Sequence, residues 1–335
     1  MKIMQKHQNQ NITITTMTSS EKCNEFKQIT KNKAEILSKK LKHNVLHNRF
    51  DIYYDDKDYE LYEVADCVIP VMIKKCLFWK RAILGLVLTE ISKETMLKFC
   101  KFLFKKHNFT SISWKRSLIK LPYGIHSKAH NYWYSKLPAT KEEFDNKLGS
   151  STRYNSKRDV KNIIRDFEKM HIEHKQNNEI PNDWVEQFFK WKMESYKHNY
   201  NMTAQEWLKK YHINSAYALF VNIDGVEQMV SLIFLNELGD NAYLDQISFI
   251  QEQKYRKYSF GVVLYYATIC DLILRKKKMF YLAGGNYRYK QNYNGICVKT
   301  YDCYVNVFIF TLNSLLIKLI NIIKTKNNKS IIKNV

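Results

Sequence analysis

The chain has 335 residues, of which 45% are hydrophobic and 14% aromatic, with 9 glycines, 4 prolines and a formal net charge of +22. That much apolar side chain builds a packed core and excludes global disorder, and so little Gly and Pro excludes a loop-rich or repeat-array protein. The charge calls for an anionic partner, whether nucleic acid, an acidic membrane surface or a phosphorylated ligand, and the length leaves room for two domains of ordinary size.

Seven cysteines (Cys23, Cys67, Cys76, Cys100, Cys270, Cys297, Cys303) form no CxxC pair and no Cys/His zinc spacing. Reduced, buried thiols and no metal site are expected. The first 48 residues hold no continuous apolar core of a secretory signal. No window reaches the roughly 18 uninterrupted apolar residues of a spanning helix, so a cytosolic protein is expected.

In chain order, residues 1–48 read as a polar, lysine-rich tail with a short helix at Ala34 to Leu46. Leu61 to Ile73 and Ala82 to Thr89 have strand character. Ser92 is placed to cap an amphipathic helix, Lys93 to His107, whose Met96, Phe99, Cys100, Leu103 and Phe104 recur at helical spacing. Phe109 to Trp114 and Ser117 to Leu121 return to β character and complete a compact α/β unit. Thr140 with Glu143 makes a capping box that opens a helix to about Leu148. A further helix is expected over Val160 to Met170, with Val160, Ile163, Ile164 and Phe167 on its apolar face. Arg153, Lys157, Arg158, Lys161 and Arg165 recur every three or four residues as a basic stripe, read as a solvated face.

Pro181 starts a helix over Asn182 to Tyr196 that carries Trp184, Phe188, Phe189 and Trp191, and another follows around Thr203 to Tyr211. Ala216 to Ile223 and Val226 to Leu235 flank Asp224-Gly225, which supplies the positive φ of a tight hairpin turn. Asn241 to Phe249 is one more strand. The stretch from Gln251 to Gly295 holds the strongest functional signal. Its basic, aromatic loop ends at Ser259 and Gly261, and an apolar helix to Leu274 follows. Ser259 is a candidate N-cap, and Gly261 lets a ligand approach the backbone. The first helical amides lack internal partners and suit a phosphate, and Lys254, Arg256 and Lys257 add charge. Arg275 to Lys278 sit at the end of the dipole that favours cations. An ordinary capped helix is the plain alternative. Met279 to Leu282 is β-like, a Gly-Gly turn leads to Tyr289-Lys290, and Gly295 to Phe310 supplies one or two strands. Leu312 to Ile323 reads as a closing core helix or as a segment on a membrane surface.

The residues from Trp133 through Leu137-Pro138 and the Glu142-Glu143-Phe144 helix to Arg153 and Arg158 carry one block of a known pattern. Asp224-Gly225, Tyr255-Arg256-Lys257-Tyr258-Ser259-Phe260-Gly261 and Tyr281 through Gly284-Gly285-Asn286 to Tyr289-Lys290 carry the rest. Together they resemble the GNAT superfamily of acyltransferases, in the branch of CelD-like acetyltransferases of exopolysaccharide biosynthesis, with Fem-type aminoacyltransferases as relatives. Phe260 stands where the pattern has Pro, Tyr281 where it has Asp, and Asn286 where an acid is common. The resemblance implies an α/β (α+β) fold of tandem GNAT-like mixed sheets flanked by helices. A basic tail (1–48) precedes a degenerate half (49–130) and a catalytic half (131–325), with a polar tail (326–335) at the end.

It further implies acetyl-CoA or another acyl-CoA as co-substrate, without a metal. Arg256, Lys257, Tyr258, Ser259, Phe260, Gly261 and Val262 would cradle its pyrophosphate. Asp245 is the carboxylate closest to the general-base position, its alternative being a hydrogen-bonded Asp beside Gln246. Tyr289 would protonate the leaving sulfur. Arg153, Arg158, Asn286 and Lys290 would meet substrate, Lys290 through a donor phosphate or an acceptor carboxylate. The implied activity is N-acylation of a nucleotide- or lipid-linked amino sugar for surface polysaccharide, in the cytoplasm or at the inner face of an anionic membrane. The alternative is a Fem-type ligase dependent on aminoacyl-tRNA, for which the positive charge speaks. A basic binding protein that has kept the fold is the third reading.

Overall fold

The computed structural model describes residues 26–30, 32–34, 37, 59–65, 67–76, 79–85, 91–121 and 126–312. The expectations for residues 1–25, for most of Ala34 to Leu46 and for the segment after Leu312 lie outside them. In chain order the elements are β1 (Phe26–Ile29), β2 (Tyr59–Val64), β3 (Cys67–Cys76), β4 (Trp79–Leu84), α1 (Lys93–His107), β5 (Ser111–Ser117) and β6 (His126–Lys136). Then come α2 (Lys141–Lys147), α3 (Ser150–Phe167), β7 (Met170–Gln176), α4 (Asn182–Tyr196), α5 (Ala204–Lys210), β8 (Ser215–Ile223), β9 (Val226–Leu238) and β10 (Asn241–Phe249). A 3-10 turn (Gln253–Tyr258) leads into α6 (Phe260–Leu274), β11 (Met279–Gly284), α7 (Arg288–Asn292) and β12 (Ile296–Asn306).

All twelve strands join one sheet, in the order β1-β2-β3-β4-β5-β12-β6-β11-β10-β9-β8-β7. It is a mixed sheet with helices on both sides, as the resemblance implied. Among the described residues only β4–β5 and β10–β11 pair in parallel. β12 comes last in sequence yet lies between β5 and β6, so the sheet is continuous from one half to the other.

Three apolar clusters hold the layers. Phe99, Leu103 and Phe104 of α1 pack on β2 to β5 together with Cys303 and Val305 of β12. Phe144 of α2, Ile163 and Phe167 of α3 and Leu264, Ile269 and Leu272 of α6 cover one face of the second half. Trp184, Phe188 and Trp191 of α4 with Trp207 of α5 cover the other face over β8 and β9, where Ala216, Ala218, Leu232 and Phe234 point. The small alanines let the indoles approach the strands closely.

Several local readings differ from the sequence expectation, each for a physical reason. Leu61 to Ile73 is two strands, broken at Ala65, which takes φ 51. Ser117 ends β5, so Ser117 to Leu121 is no strand of its own. β6 and β7 carry too many polar residues for periodicity to reveal them, because their hydrogen bonds to neighbours decide the conformation. α3 starts ten residues before Val160 and ends at Phe167, and Met170 opens β7. Ile164 stands 48% exposed, because the buried face is Ser156, Asp159, Ile163 and Phe167. The hairpin is as expected, with Asp224 at φ 52 and Gly225 at φ 82.

Candidate active site

The second half contains a fork in the sheet. β10 and β11 pair only over Asn241–Tyr243 against Met279–Tyr281, although β10 runs on to Phe249 and β11 to Gly284. Tyr243 and Tyr281 stack where the strands part, with ring centroids 4.6 Å apart and planes 9° from parallel. Both branches are irregular. The register of β10 against β9 shifts between Leu244 and Gln246, so Asp245 sits on a bulge, a device that re-aims side chains and frees backbone groups. β11 shifts against β6 between Tyr281 and Ala283, with Ala283 at φ 57 and Gly285 at φ 86.

Past the open end of the fork lies the basic loop. Gln253–Tyr258 is a 3-10 turn with Tyr255 and Tyr258 buried, while Lys254, Arg256 and Lys257 face solvent. The Tyr258 hydroxyl donates to Asp166 at 2.8 Å, and the Phe167 ring meets Tyr258 at 4.7 Å, so the end of α3 holds the loop. Ser259 occupies the N-cap position in the left-handed region, φ 53, and its side chain makes no capping hydrogen bond. The side-chain cap expected from sequence is thus replaced by backbone, the Ser259 carbonyl accepting from the amides of Val262 and Val263. The amides of Phe260 and Gly261 have no backbone partner among the described residues, which leaves α6 with an anion-ready start. A Cβ on Gly261 would lie 2.9 Å from the Phe249 ring.

At the other end of α6 the expected cations are in place and engaged. Arg275 grips Glu237 with two nitrogens at 2.7 Å and Asp271 at 2.7 Å, and Lys277 reaches Glu237 at 3.0 Å. Burial acts to raise the Glu237 carboxyl, but these cations overcome it and hold the group at about 2.

Four of the remaining residues named from sequence can be placed in the same half. Asp245 is half-buried, and its charge acts on the buried ammonium of Lys192 in α4. Tyr289 packs edge-on to Tyr265 at 4.9 Å, and burial pushes its phenol up to about 12. Lys290 is 2% exposed. Its ammonium donates to the Leu282 carbonyl at 2.6 Å and to that of Gly284, and burial lowers it to about 8. Asn286 accepts from Asn131 at 2.8 Å, and Asn131 accepts from Lys299 at 2.7 Å. Asn286 and Lys290 thus both meet the end of β11 or its neighbour. Arg153 and Arg158 stand on the outer face of α3, Arg158 paired to Asp159 at 2.9 Å. No contact among the described residues joins them to the fork. No cluster of three His, Cys, Asp or Glu side chains suited to a metal occurs among the described residues.

With this geometry in hand, the relatives can be compared. Residues 150–291, the segment that holds α3, the fork, the loop and α6, match the family model described as Acetyltransferase (GNAT) domain. No curated protein matches the chain. Among solved structures, FemX is similar over 86% of this chain and 99% of its own, with TM-score 0.59 and 8% identity. The C-terminal domain of a lysylphosphatidylglycerol synthetase from Agrobacterium fabrum is similar over 85% of this chain and 96% of its own, with TM-score 0.53 and 11% identity. L-PGS from Bacillus licheniformis covers 83% of this chain and 92% of its own, with TM-score 0.53 and 11% identity.

At such identities the solved structures define the fold. The match over residues 150–291 supports an acyltransferase, and GNAT domains use acyl-CoA as co-substrate. The fit is physical as well: free amides, three exposed cations and a parting of two parallel strands occur in one continuous run from Asn241 to Gly284.

Proposed function

We propose that the protein transfers an acetyl or other acyl group from acyl-CoA to the amine of a nucleotide- or lipid-linked amino sugar, in the manner of the CelD-like branch. The catalytic half is taken as residues 131–325 and the degenerate half as 49–130. The observation that carries the reading is the fork between β10 and β11 opening toward the amides of Phe260 and Gly261. Lys254, Arg256 and Lys257 would neutralise donor phosphates at the start of α6, where the helix dipole adds to them. The pantetheine chain would then lie in the fork, and backbone amides freed at the Asp245 bulge would stabilise the oxyanion of the thioester.

A neutral amine attacks the thioester carbon, the C–N bond forms, and the C–S bond breaks with the electron pair going to sulfur. A phenol at about 12 stays protonated at neutral pH and is a weak acid toward a thiolate of ordinary pKa near 8.5. Tyr289 therefore works as a relay, giving its proton to sulfur while taking one from the cationic amine. Asn286, at the end of β11, is assigned to the acceptor side, and Lys290, buried against the Leu282 and Gly284 carbonyls, holds that end in place. The test is thiol release from acetyl-CoA against a panel of free and nucleotide-linked amino sugars. Release with an amino sugar but not with its hydroxyl analogue supports the reading; no release with any member refutes it.

A second reading, a Fem-type ligase using aminoacyl-tRNA, is favoured by the net charge of +22 and the exposed Arg153, Lys157 and Lys161 of α3. It predicts tight tRNA binding that falls steeply with salt and no calorimetric response to acetyl-CoA.

A further inference from the structure

The reaction needs a group to take a proton from the acceptor ammonium, and the fork is flanked by two possibilities. The Asp245 charge acts on the Lys192 ammonium. On the opposite side of β11 stands a pair whose members are far apart in sequence. His130 of β6 meets Asp302 of β12, with Nε2 and Oδ2 3.1 Å apart and side chains 35% and 30% exposed. We infer that His130 is the general base of the acyl transfer and that Asp302 orients it.

Three observations support the assignment, which rests on the acyl-transfer reading above. The first is aim. The register of β12 against β5 shifts between Tyr301 and Cys303, so Asp302 sits at an irregularity. Arg116 adopts φ 54, and its amide donates to Asp302 Oδ1 at 2.9 Å. A non-glycine residue in the left-handed region and a bulge together cost stability, and both serve to fix one carboxylate against one imidazole. The second is tautomer. A carboxylate on Nε2 keeps the proton there and leaves Nδ1 as the basic nitrogen. Nδ1 has no hydrogen-bond partner among the described residues.

The third is place. Gly284 at the end of β11 is in register with Tyr132, so His130 lies two residues beyond the last paired position of β6, at the open end of the fork. β6 is one strand, about 5 Å, from β11, and β10 has parted from β11 at this level. Strand alternation puts His130 on the same face as Tyr132 and Tyr134. Those two pack with Tyr243 and Tyr281, the pair that marks the parting of the strands, in a cluster made of sheet and loop residues. An acceptor amine entering over this face would reach the thioester with His130 beside it, directly or through one water.

The step balances as follows. Nδ1 takes one proton from the acceptor ammonium, the freed lone pair forms the C–N bond, the C–S bond breaks, and the second amine proton reaches the thiolate through Tyr289. The imidazolium then returns its proton to solvent. The charged groups around His130 are Asp302 on β12, Lys128 on its own strand in register with Asp302, and Lys299 on β12; the neutral backbone amide of Arg116 donates to Asp302.

The experiment compares His130→Gln, Asp302→Asn, Asp302→Glu and Asp245→Asn by thiol release from acetyl-CoA with glucosamine and a nucleotide-linked amino sugar across pH. Acetyl-CoA affinity and thermal stability are measured in parallel. His130→Gln is expected to lower kcat by about a hundredfold or more, to abolish the acid limb of the kcat profile, and to leave the KM for acetyl-CoA unchanged. Asp302→Asn should lower kcat about tenfold and move the limb; Asp302→Glu should recover part of both. Unchanged kcat and limb in His130→Gln, with the limb lost in Asp245→Asn instead, overturns the assignment alone. Failure of the wild type to bind acetyl-CoA overturns it together with the acyl-transfer reading.

Discussion

Replacing Lys290 by Met offers a test in which the structure sets both sign and size. The ammonium is 2% exposed, and burial lowers its pKa from 10.5 to about 8. The unfolded chain therefore binds more protons than the native one between those values, and stability must rise with pH across that window. Below pH 8 both states are protonated and the folded protein bears the full cost of the buried charge. Between pH 7.5 and 9.5 the linkage relation gives the wild type a gain of about 2 kcal/mol over a variant lacking the group. That gain is about 3 °C in melting temperature for a chain of this size. The Met variant also leaves the Leu282 and Gly284 carbonyls without their donor. It should lose about 1–3 kcal/mol for each carbonyl that finds no water, against the cost of the buried charge that it relieves below pH 8. Thermal melts of both proteins at half-unit pH steps give the difference directly, and subtraction cancels the other titrating groups. A wild type whose stability relative to the variant stays flat or falls from pH 7.5 to 9.5 would refute the burial of this ammonium.

Other consequences can be checked in the same melts. Arg275→Met strips two of the nitrogens that hold Glu237, a side chain 5% exposed, and should cost about 3 kcal/mol at neutral pH. Glu237, held at about 2 against an ordinary 4.5, contributes stability that is present above pH 4.5 and lost as pH falls toward 2. Acid unfolding of Arg275→Met should therefore begin at higher pH than in wild type. Gly261→Ala should cost about 1–3 kcal/mol because its Cβ meets the Phe249 ring at 2.9 Å. The same change in a Phe249→Ala background should cost much less, a non-additivity that a double-mutant cycle reads. Gly225→Ala, at φ 82 in the β8–β9 turn, should cost about 1 kcal/mol without affecting acetyl-CoA binding.

Much of the fold could be read where local chemistry acts alone. The Ser92 cap, the Thr140 cap, the Asp224-Gly225 turn and the apolar run of α6 each leave a signature within a few residues, and each is found where expected. β6 and β7 are different. The polar run His126–Lys136 becomes the strand between β11 and β12 because two neighbours satisfy its backbone, which no local pattern announces. The site divides along the same line. The basic loop and the start of α6 were visible as charge, glycine and helix period, whereas the fork depends on where two strands stop pairing. The meeting of Lys290 with the carbonyls of β11 depends on a chain reversal of eight residues. His130 and Asp302 are 172 residues apart in sequence, and only the insertion of β12 beside β6 brings them together.

The claim on which the rest depends is that acyl-CoA seats its phosphates at the start of α6 and its thioester in the fork. Calorimetric titration with acetyl-CoA tests it most directly, run on the wild type and on Gly261→Trp with tRNA as a competitor. One binding site of micromolar affinity, lost in the tryptophan variant and indifferent to tRNA, is the expected result. No heat with acetyl-CoA, together with tRNA binding that weakens steeply as salt rises, would contradict the donor-site assignment and turn the protein into a tRNA-dependent ligase.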